Sequence, residues 1–391
     1  MLPAVKCMTE LELAGKRVMI REDLNAPIEN GYIVSDKRLR AALQTIQFAV
    51  EQGARVILLS HLGRPAEGVF DAAFSLAPVA ERLGQLLGAP VLFVKDWLEG
   101  VEVEPGSVAL CENIRFETGE KANDKVLARR IAALCDIFVM DAFATAHRAQ
   151  ASTCGVAHYA PIACAGPLLL GEFTALSRAL EEPTRPLVAI VGGNKVSSKL
   201  AVLRSLAEKV DHLIVGGGIA NTLLAASGID VGRSRMEPDG LDFCESLLAG
   251  KFGGASIPLP TDVVVADNLE ADVRGTIKLT RDLVGEDMIF DIGPKTTAEY
   301  SGHLGVAGTI LWNGPLGVFE HPEFAHGTRH LAKAIAASRA FSVAGGGDTL
   351  AALEQFGVAE EISYISTGGG AFLKFVEGKK FPAIAALEER A

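Results

Sequence analysis

Short unbroken apolar runs, each followed by an amphipathic stretch, recur along the whole chain and constrain its fold more than any other feature. In the first half the runs are Arg17–Arg21, Arg55–Ser60, Val91–Val94, Ser107–Cys111 and Asp136–Met140. In the second half they are Leu187–Val191, His212–Val215, Asp262–Val265, Met288–Asp291, Thr309–Trp312, Ala340–Ala344 and Glu361–Ile365. Roughly four to six mostly apolar residues without alternation suit strands covered on both faces. Amphipathic stretches such as Lys37–Glu51, Ser75–Leu87 and Ser197–Glu208 lie between them. Strand–helix–strand order of this kind predicts parallel sheets flanked by helices.

The runs are too many for one compact sheet. At roughly 150 residues per domain, the 391 residues suggest two to three domains. The break is expected in Ala165–Pro186, where AGPLLLGEF leads through a helical pattern to the proline-containing EEPTRP. The fold class expected is α/β: two Rossmann-like domains, each a parallel sheet flanked by helices, joined by a hinge helix. The boundaries read as 1–170, an interdomain helix and connector at 171–186, 187–380, and a helical tail at 381–391 whose packing the sequence leaves open.

The formal net charge is -11. That argues against a nucleic-acid partner, whose footprint would be basic. It also means that any anionic ligand needs a local cluster of Arg and Lys to overcome the global field. The six cysteines are scattered without a C-x-x-C pair, which predicts reduced, mostly buried thiols and no zinc site. The N-terminal stretch lacks a signal-peptide apolar core, and no run approaches the roughly 18 residues of a membrane span. A cytoplasmic location and no membrane partner are expected.

In open parallel sheets ligands bind beyond the carboxyl ends of the strands. In the first half those ends carry Asp23 and Asn25, His61 and Arg64, Arg115 and Arg148, and Arg38 opens the helix after the first strand. In the second half they carry Gly192–Gly193, Gly216–Gly218, Gly345–Gly347 and Gly368–Gly370. Guanidinium forks hold carboxylate and phosphate in bidentate fashion. Glycines let backbone amides approach phosphates at helix N-termini. One Arg after a strand is usually a solvated surface residue, and one Gly-Gly pair is usually a turn. Their repetition on opposite halves instead suggests a small phosphorylated acid on one domain and a nucleotide on the other. There is no P-loop and no G-x-G-x-x-G, so the nucleotide is not held by either familiar motif.

These residues fall in blocks that resemble the phosphoglycerate kinase family. RVMIREDLNAP at Arg17–Pro27 is similar to its R-x-D-x-N-x-P signature. HLGRP, ENIRF, DAFATAHRAQAS, GGNKVSSK, VGGGIANT, DIGPKT, WNGPLGVFE, GGGDT and STGGG follow in family order. The resemblance implies 3-phosphoglycerate or 1,3-bisphosphoglycerate on the N-terminal domain, ADP or ATP with Mg²⁺ on the C-terminal domain, and a monomer. It implies that Asp23, Leu24, Asn25, Arg38, His61, Leu62, Gly63, Arg64, Arg115 and Arg148 bind the glycerate substrate. It implies that Gly193, Lys195, Lys199, Gly217, Asn313, Pro315, Glu320 and Gly346–Thr349 bind the nucleotide, with Glu320 on the ribose and Asp348 on the metal. Arg38, Lys195, Lys199, Gly346, Gly347, Gly369 and Gly370 are then the catalytic set. Ala144, Gln150, Asn194 and Ser198 depart from the family pattern, in which glycine, histidine, alanine and aspartate are the more usual residues.

The implied reaction moves a phosphoryl group between an acyl phosphate and ADP. In reverse the nucleophile is a carboxylate, whose pKa of roughly 3.5 to 4 leaves it ionised at neutral pH. No general base is required. Ligands on separate domains imply hinge closure. A kinase for acetate or carbamate would not need the arginine cluster, and a solute-binding protein would not need Lys195, Lys199 or GGGDT.

Overall fold

A computed structural model describes residues 3–270 and 272–391. In chain order its strands are β1 (Arg17–Arg21), β2 (Ile28–Glu29), β3 (Tyr32–Ile33), β4 (Arg55–Leu59), β5 (Val91–Val94), β6 (Val108–Cys111), β7 (Ile137–Met140) and β8 (Ile162–Ala165). The second half holds β9 (Leu187–Val191), β10 (His212–Val215), β11 (Asp262–Ala266), β12 (Thr276–Leu279), β13 (Met288–Ile292), β14 (Thr309–Asn313), β15 (Phe341–Gly345) and β16 (Tyr364–Ser366). The chain divides into two compact units, one running to Thr174 and including Lys379–Ala391, the other Ala175–Gly378.

The first unit is built on a six-stranded sheet of order β5-β6-β4-β1-β7-β8, parallel throughout. The inner strands are buried at almost every position, as unbroken apolar runs require. The helix Lys37–Glu51 turns Leu39, Ala42, Ile46 and Ala49 onto this sheet, a spacing that puts them on one helical face. No long apolar run marks β8 in the sequence. Its small residues, Ala163, Cys164 and Ala165, make a weak apolar signal although all three are buried. No such run marks the β2–β3 hairpin either. Asn30 and Gly31 form its two-residue turn, both at positive φ (50° and 82°), the geometry that Asn-Gly favours.

The second unit contains a five-stranded parallel sheet, β10-β9-β14-β15-β16. Here one expectation is corrected. The runs at Asp262–Val265 and Met288–Asp291 do not join a parallel sheet; β11 pairs antiparallel with both β12 and β13. β11 and β12 are neighbours joined by residues 267–275 alone, too short for the dozen or so residues of a parallel crossover.

The tail belongs to the first unit. Phe381 stacks on Phe143 with centroids 5.6 Å apart and meets Phe173 edge-on at 5.3 Å. Arg390 Nη2 donates to Ala160 O at 2.9 Å. No helix among the described residues is long and apolar enough to cross a membrane.

Candidate active site

Strand order reverses direction once in each parallel sheet. In the first unit the chain leaves β1 towards β4 and leaves β7 towards β8, so β1 and β7 flank the switch. In the second it leaves β9 towards β10 and β14 towards β15. Connections that depart in opposite directions leave a crevice between neighbouring strand ends, where ligands of open α/β sheets bind.

In the first unit the loop after β1 carries Asp23 and Asn25. Arg38 Nη1 lies 3.3 and 3.2 Å from the two Asp23 carboxylate oxygens and donates to Asn25 O at 2.9 Å. The Asn25 side-chain oxygen accepts from Gly63 N at 2.9 Å, and Gly63 O accepts from Arg115 Nη1. Gly63 holds a left-handed backbone at φ 58°, and a Cβ there would lie 2.3 Å from the Phe74 ring. Leu24 and Leu62 are buried and act through backbone: Leu24 N donates to Ser60 Oγ, Leu62 N to Asn113 Oδ1.

His61 is almost fully buried, and its pKa lies well below the usual imidazole value. Burial is the main cause, followed by the charges of Arg21, Arg115, Arg148 and Arg38. The ring is therefore neutral at physiological pH. Its Nδ1 faces Arg21 Nη2 at 3.4 Å and can only accept there, which leaves the proton on Nε2 as a donor. Burial, with the charges of Arg148, Arg21 and Arg64, also pushes Arg115 down to about 10. These guanidinium groups are held close enough to disfavour one another's charge, an arrangement that a dianion relieves.

Arg21, absent from the sequence reading as a site residue, is 1% exposed. It donates to Ser152 Oγ at 3.0 Å, and the buried Glu120 accepts from the same serine at 2.6 Å. A charged residue closing an otherwise apolar strand was the available signal, since buried charges must be paired.

In the second unit Lys199 Nζ donates to Gly192 O at 2.6 Å and to Asn313 Oδ1 at 2.6 Å. It thus bridges the ends of β9 and β14. Burial pushes its pKa down to about 8, and nearby Asp348 opposes that shift. Asn313 Nδ2 donates to Gly345 O at 2.7 Å, and Thr349 Oγ1 accepts from Gly314 N at 2.7 Å. Gly346 and Gly347 open the helix Gly347–Phe356 beside them. Gly369 and Gly370 open the short helix Gly370–Val376. Lys195 and Glu320 are exposed.

The two switch-point loops touch because Gly192 has no side chain. Its N–H donates to Asn313 O at 2.9 Å, and an added Cβ would lie 1.7 Å from Pro315 O. Gly192→Ala is expected to lower unfolding free energy by at least about 1–3 kcal/mol, the usual cost of overpacking, here against backbone. Urea denaturation measures this, and an unchanged midpoint would contradict the close approach.

A cavity of 290 Å³ adjoins these loops. Gly193, Gly217 and Pro315 line it, as do Val263, Met288, Phe290, Leu316 and Val318, which the sequence reading did not assign. Among the described residues Glu320 is not part of its wall. The apolar walls suit a flat ring.

The structure has no group of three or more His, Cys, Asp or Glu side chains able to enclose a metal among the described residues. The exposed Asp348, within the field of Lys199, offers one carboxylate. That donor set does not fit an all-protein cage. It fits a hard divalent cation carried in on phosphate oxygens, the usual mode for Mg²⁺.

A family model described as phosphoglycerate kinase matches residues 8–379. The chain belongs to the phosphoglycerate kinase family. The solved phosphoglycerate kinase from Coxiella burnetii is 57% identical with a TM-score of 0.94, the match covering 99% of this chain and 100% of that one. The phosphoglycerate kinase from Pyrococcus horikoshii OT3 is 33% identical with a TM-score of 0.84, covering 98% and 99%. The chain is thus a glycolytic phosphotransferase that passes a phosphoryl group reversibly from 1,3-bisphosphoglycerate to ADP, giving 3-phosphoglycerate and ATP. In this kinase the family departures sit in different settings. Asn194 lines the cavity, Ser198 Oγ donates to Lys195 O at 2.8 Å, and Gln150 is buried just after Arg148. Ala144 lies in the short helix Phe143–Ala146, and nothing there explains the departure.

Proposed function

We propose that the first unit binds the glycerate substrate through Asp23, Asn25, Arg38, His61, Arg64, Arg115 and Arg148, and the second binds ADP or ATP with Mg²⁺. The observation that carries this reading is the mutual crowding of guanidinium groups around a neutral, proton-donating His61 in a chain of net charge -11. Such a positive concavity is costly without an anion to fill it. A kinase for an acid without a distal phosphate has no use for it.

In the direction of acyl-phosphate synthesis, a carboxylate oxygen of 3-phosphoglycerate attacks the γ-phosphorus of ATP. The new C(O)–O–P bond forms as the bond from γ-phosphorus to the β,γ-bridging oxygen breaks, and ADP leaves with that electron pair. No proton moves, so His61 serves as a fixed donor rather than a base. Lys199 is positioned to meet the phosphate chain from the β9–β14 crevice, with Gly346, Gly347, Gly369 and Gly370 supplying amides. Lys195 and Arg38 are assigned to charge on the transferring group. Asp348 would hold Mg²⁺, which would supply neutralisation of the phosphate charge. Glu320, two residues beyond the lining Val318, is assigned to the ribose.

The six cysteines are all free, which supports residence in a reducing compartment, the cytoplasm. A monomer is the oligomeric state in keeping with the family. The deciding experiment is ATP consumption with purified enzyme. We expect it to require both 3-phosphoglycerate and Mg²⁺, and turnover without either one would overturn the assignment.

A further inference from the structure

Glu22 and Asp141 end the two strands that flank the first-unit crevice. Glu22 follows β1 and Asp141 follows β7, with Arg21 and Met140 paired in register just before them. Both carboxyls are completely buried. Asp141 is well supplied with donors: Thr45 Oγ1 from the helix Lys37–Glu51, and Leu169 N at 2.9 Å from the helix Pro167–Leu180. Glu22 is the opposite case. Neither of its carboxyl oxygens receives a hydrogen bond from any donor among the described residues. The polar group that it meets is the carboxyl of Asp141.

Two carboxylates cannot satisfy each other, because both only accept. They can meet across one proton. We infer that Glu22 is a positioning residue: as a neutral acid it donates its proton to the Asp141 carboxylate and so pins the substrate loop Asp23–Asn25 to the end of β7. The inference rests on the reading of this crevice as the 3-phosphoglycerate site.

The surrounding charges agree with that assignment of the proton. Glu22 is raised well above the usual carboxyl value, first by burial and then by Asp141, with Asp23 adding to the rise and Arg21 alone opposing it. Asp141 is pushed only to about 6, because Thr45 and the amides of Leu168 and Leu169 offset its burial. Cys164, on the neighbouring β8, is held neutral by burial. The proton shared by the pair therefore resides on Glu22, the carboxyl that no other donor serves.

The consequence for function is local. Asp23, next in sequence to Glu22, is the ion-pair partner of Arg38, and Asn25 orients Gly63. Without the proton bridge the root of this loop holds two buried like charges, or one buried acceptor without a donor.

The test combines infrared spectroscopy with calorimetric titration of 3-phosphoglycerate into the full-length enzyme at pH 8. We expect a protonated-carboxyl carbonyl band in the wild type that disappears in Glu22→Gln. Glu22→Gln keeps a neutral donor, so its affinity should stay within about threefold of wild type. Glu22→Ala removes the donor and should weaken binding roughly tenfold or more, the scale of one lost buried hydrogen bond. A band that is missing from the wild type, or that survives Glu22→Gln, overturns the inference even if the alanine variant does not fold. So does equal weakening by Gln and Ala. Wild-type enzyme that fails to bind 3-phosphoglycerate overturns the site reading itself, whatever the band shows.

Discussion

Arg38→Ala is expected to lower kcat roughly a hundredfold or more, the scale of losing one preorganised charge donor at a transferring group. The substitution removes more than a charge. Arg38 neutralises Asp23, whose side chain is only 11% exposed, and ties it to Asn25 O. Its loss leaves Asp23 without that cation beside an anionic substrate, so KM for 3-phosphoglycerate should rise as well. Arg38→Lys should rescue poorly, because a lysine ammonium stops one bond short of Nη1, the nitrogen that meets both Asp23 and Asn25 O, and replaces none of the guanidinium's other donors. The fold should survive, since the Arg38 side chain is 36% exposed and outside the core cluster. Steady-state kinetics with circular dichroism as control decides the matter. Near-normal turnover in a folded Arg38→Ala enzyme would remove this residue from the mechanism.

The parallel sheets were legible because strands covered on both faces leave an unmistakable mark. RVMIR, RVILLS and DIFVM give β1, β4 and β7 within a residue, and LVAIV gives β9. The mark fades where residues are small or half-exposed. β8 is made largely of Ala and Cys, and Ile277 on β12 is exposed. A run alone also does not carry strand direction. The apolar Asp262–Val265 run looks like a parallel strand, and only its pairing with β12 and β13 shows that it is not one.

At the site, the residues that advertise themselves are those that breach a local rule, such as a charged or bare residue at a strand end. Arg38, His61, Arg115 and Lys199 do so. Residues that serve by ordinary burial do not. Met288, Phe290 and Leu316 line the cavity as apolar residues among many others, and no sequence pattern separates them from core. Glu22 falls between these cases. It lies inside the quoted RVMIREDLNAP signature, but an acidic residue after a strand looks like a solvated loop residue until its complete burial is seen.

The second large effect concerns Lys199, and its sign follows from where the lysine sits. Burial in the β9–β14 crevice pushes its pKa from the usual 10.5 down to about 8. Below that pH the ammonium is charged and can meet the nucleotide phosphates; above it, the free enzyme loses the charge. The pH dependence of kcat/KM reports free-enzyme ionisations, whereas that of kcat reports the bound complex. Phosphates beside the ammonium favour its charged form and raise its pKa. We therefore expect kcat/KM for ATP to fall on an alkaline limb near pH 8 and kcat to fall only at higher pH. Lys199→Ala should lose roughly a hundredfold or more in kcat and should flatten the kcat/KM limb. The 3-phosphoglycerate affinity should stay unchanged, since Lys199 belongs to the other unit. An alkaline limb that persists in Lys199→Ala assigns the ionisation to another group, and a folded alanine variant with ordinary turnover would exclude Lys199 from phosphoryl transfer.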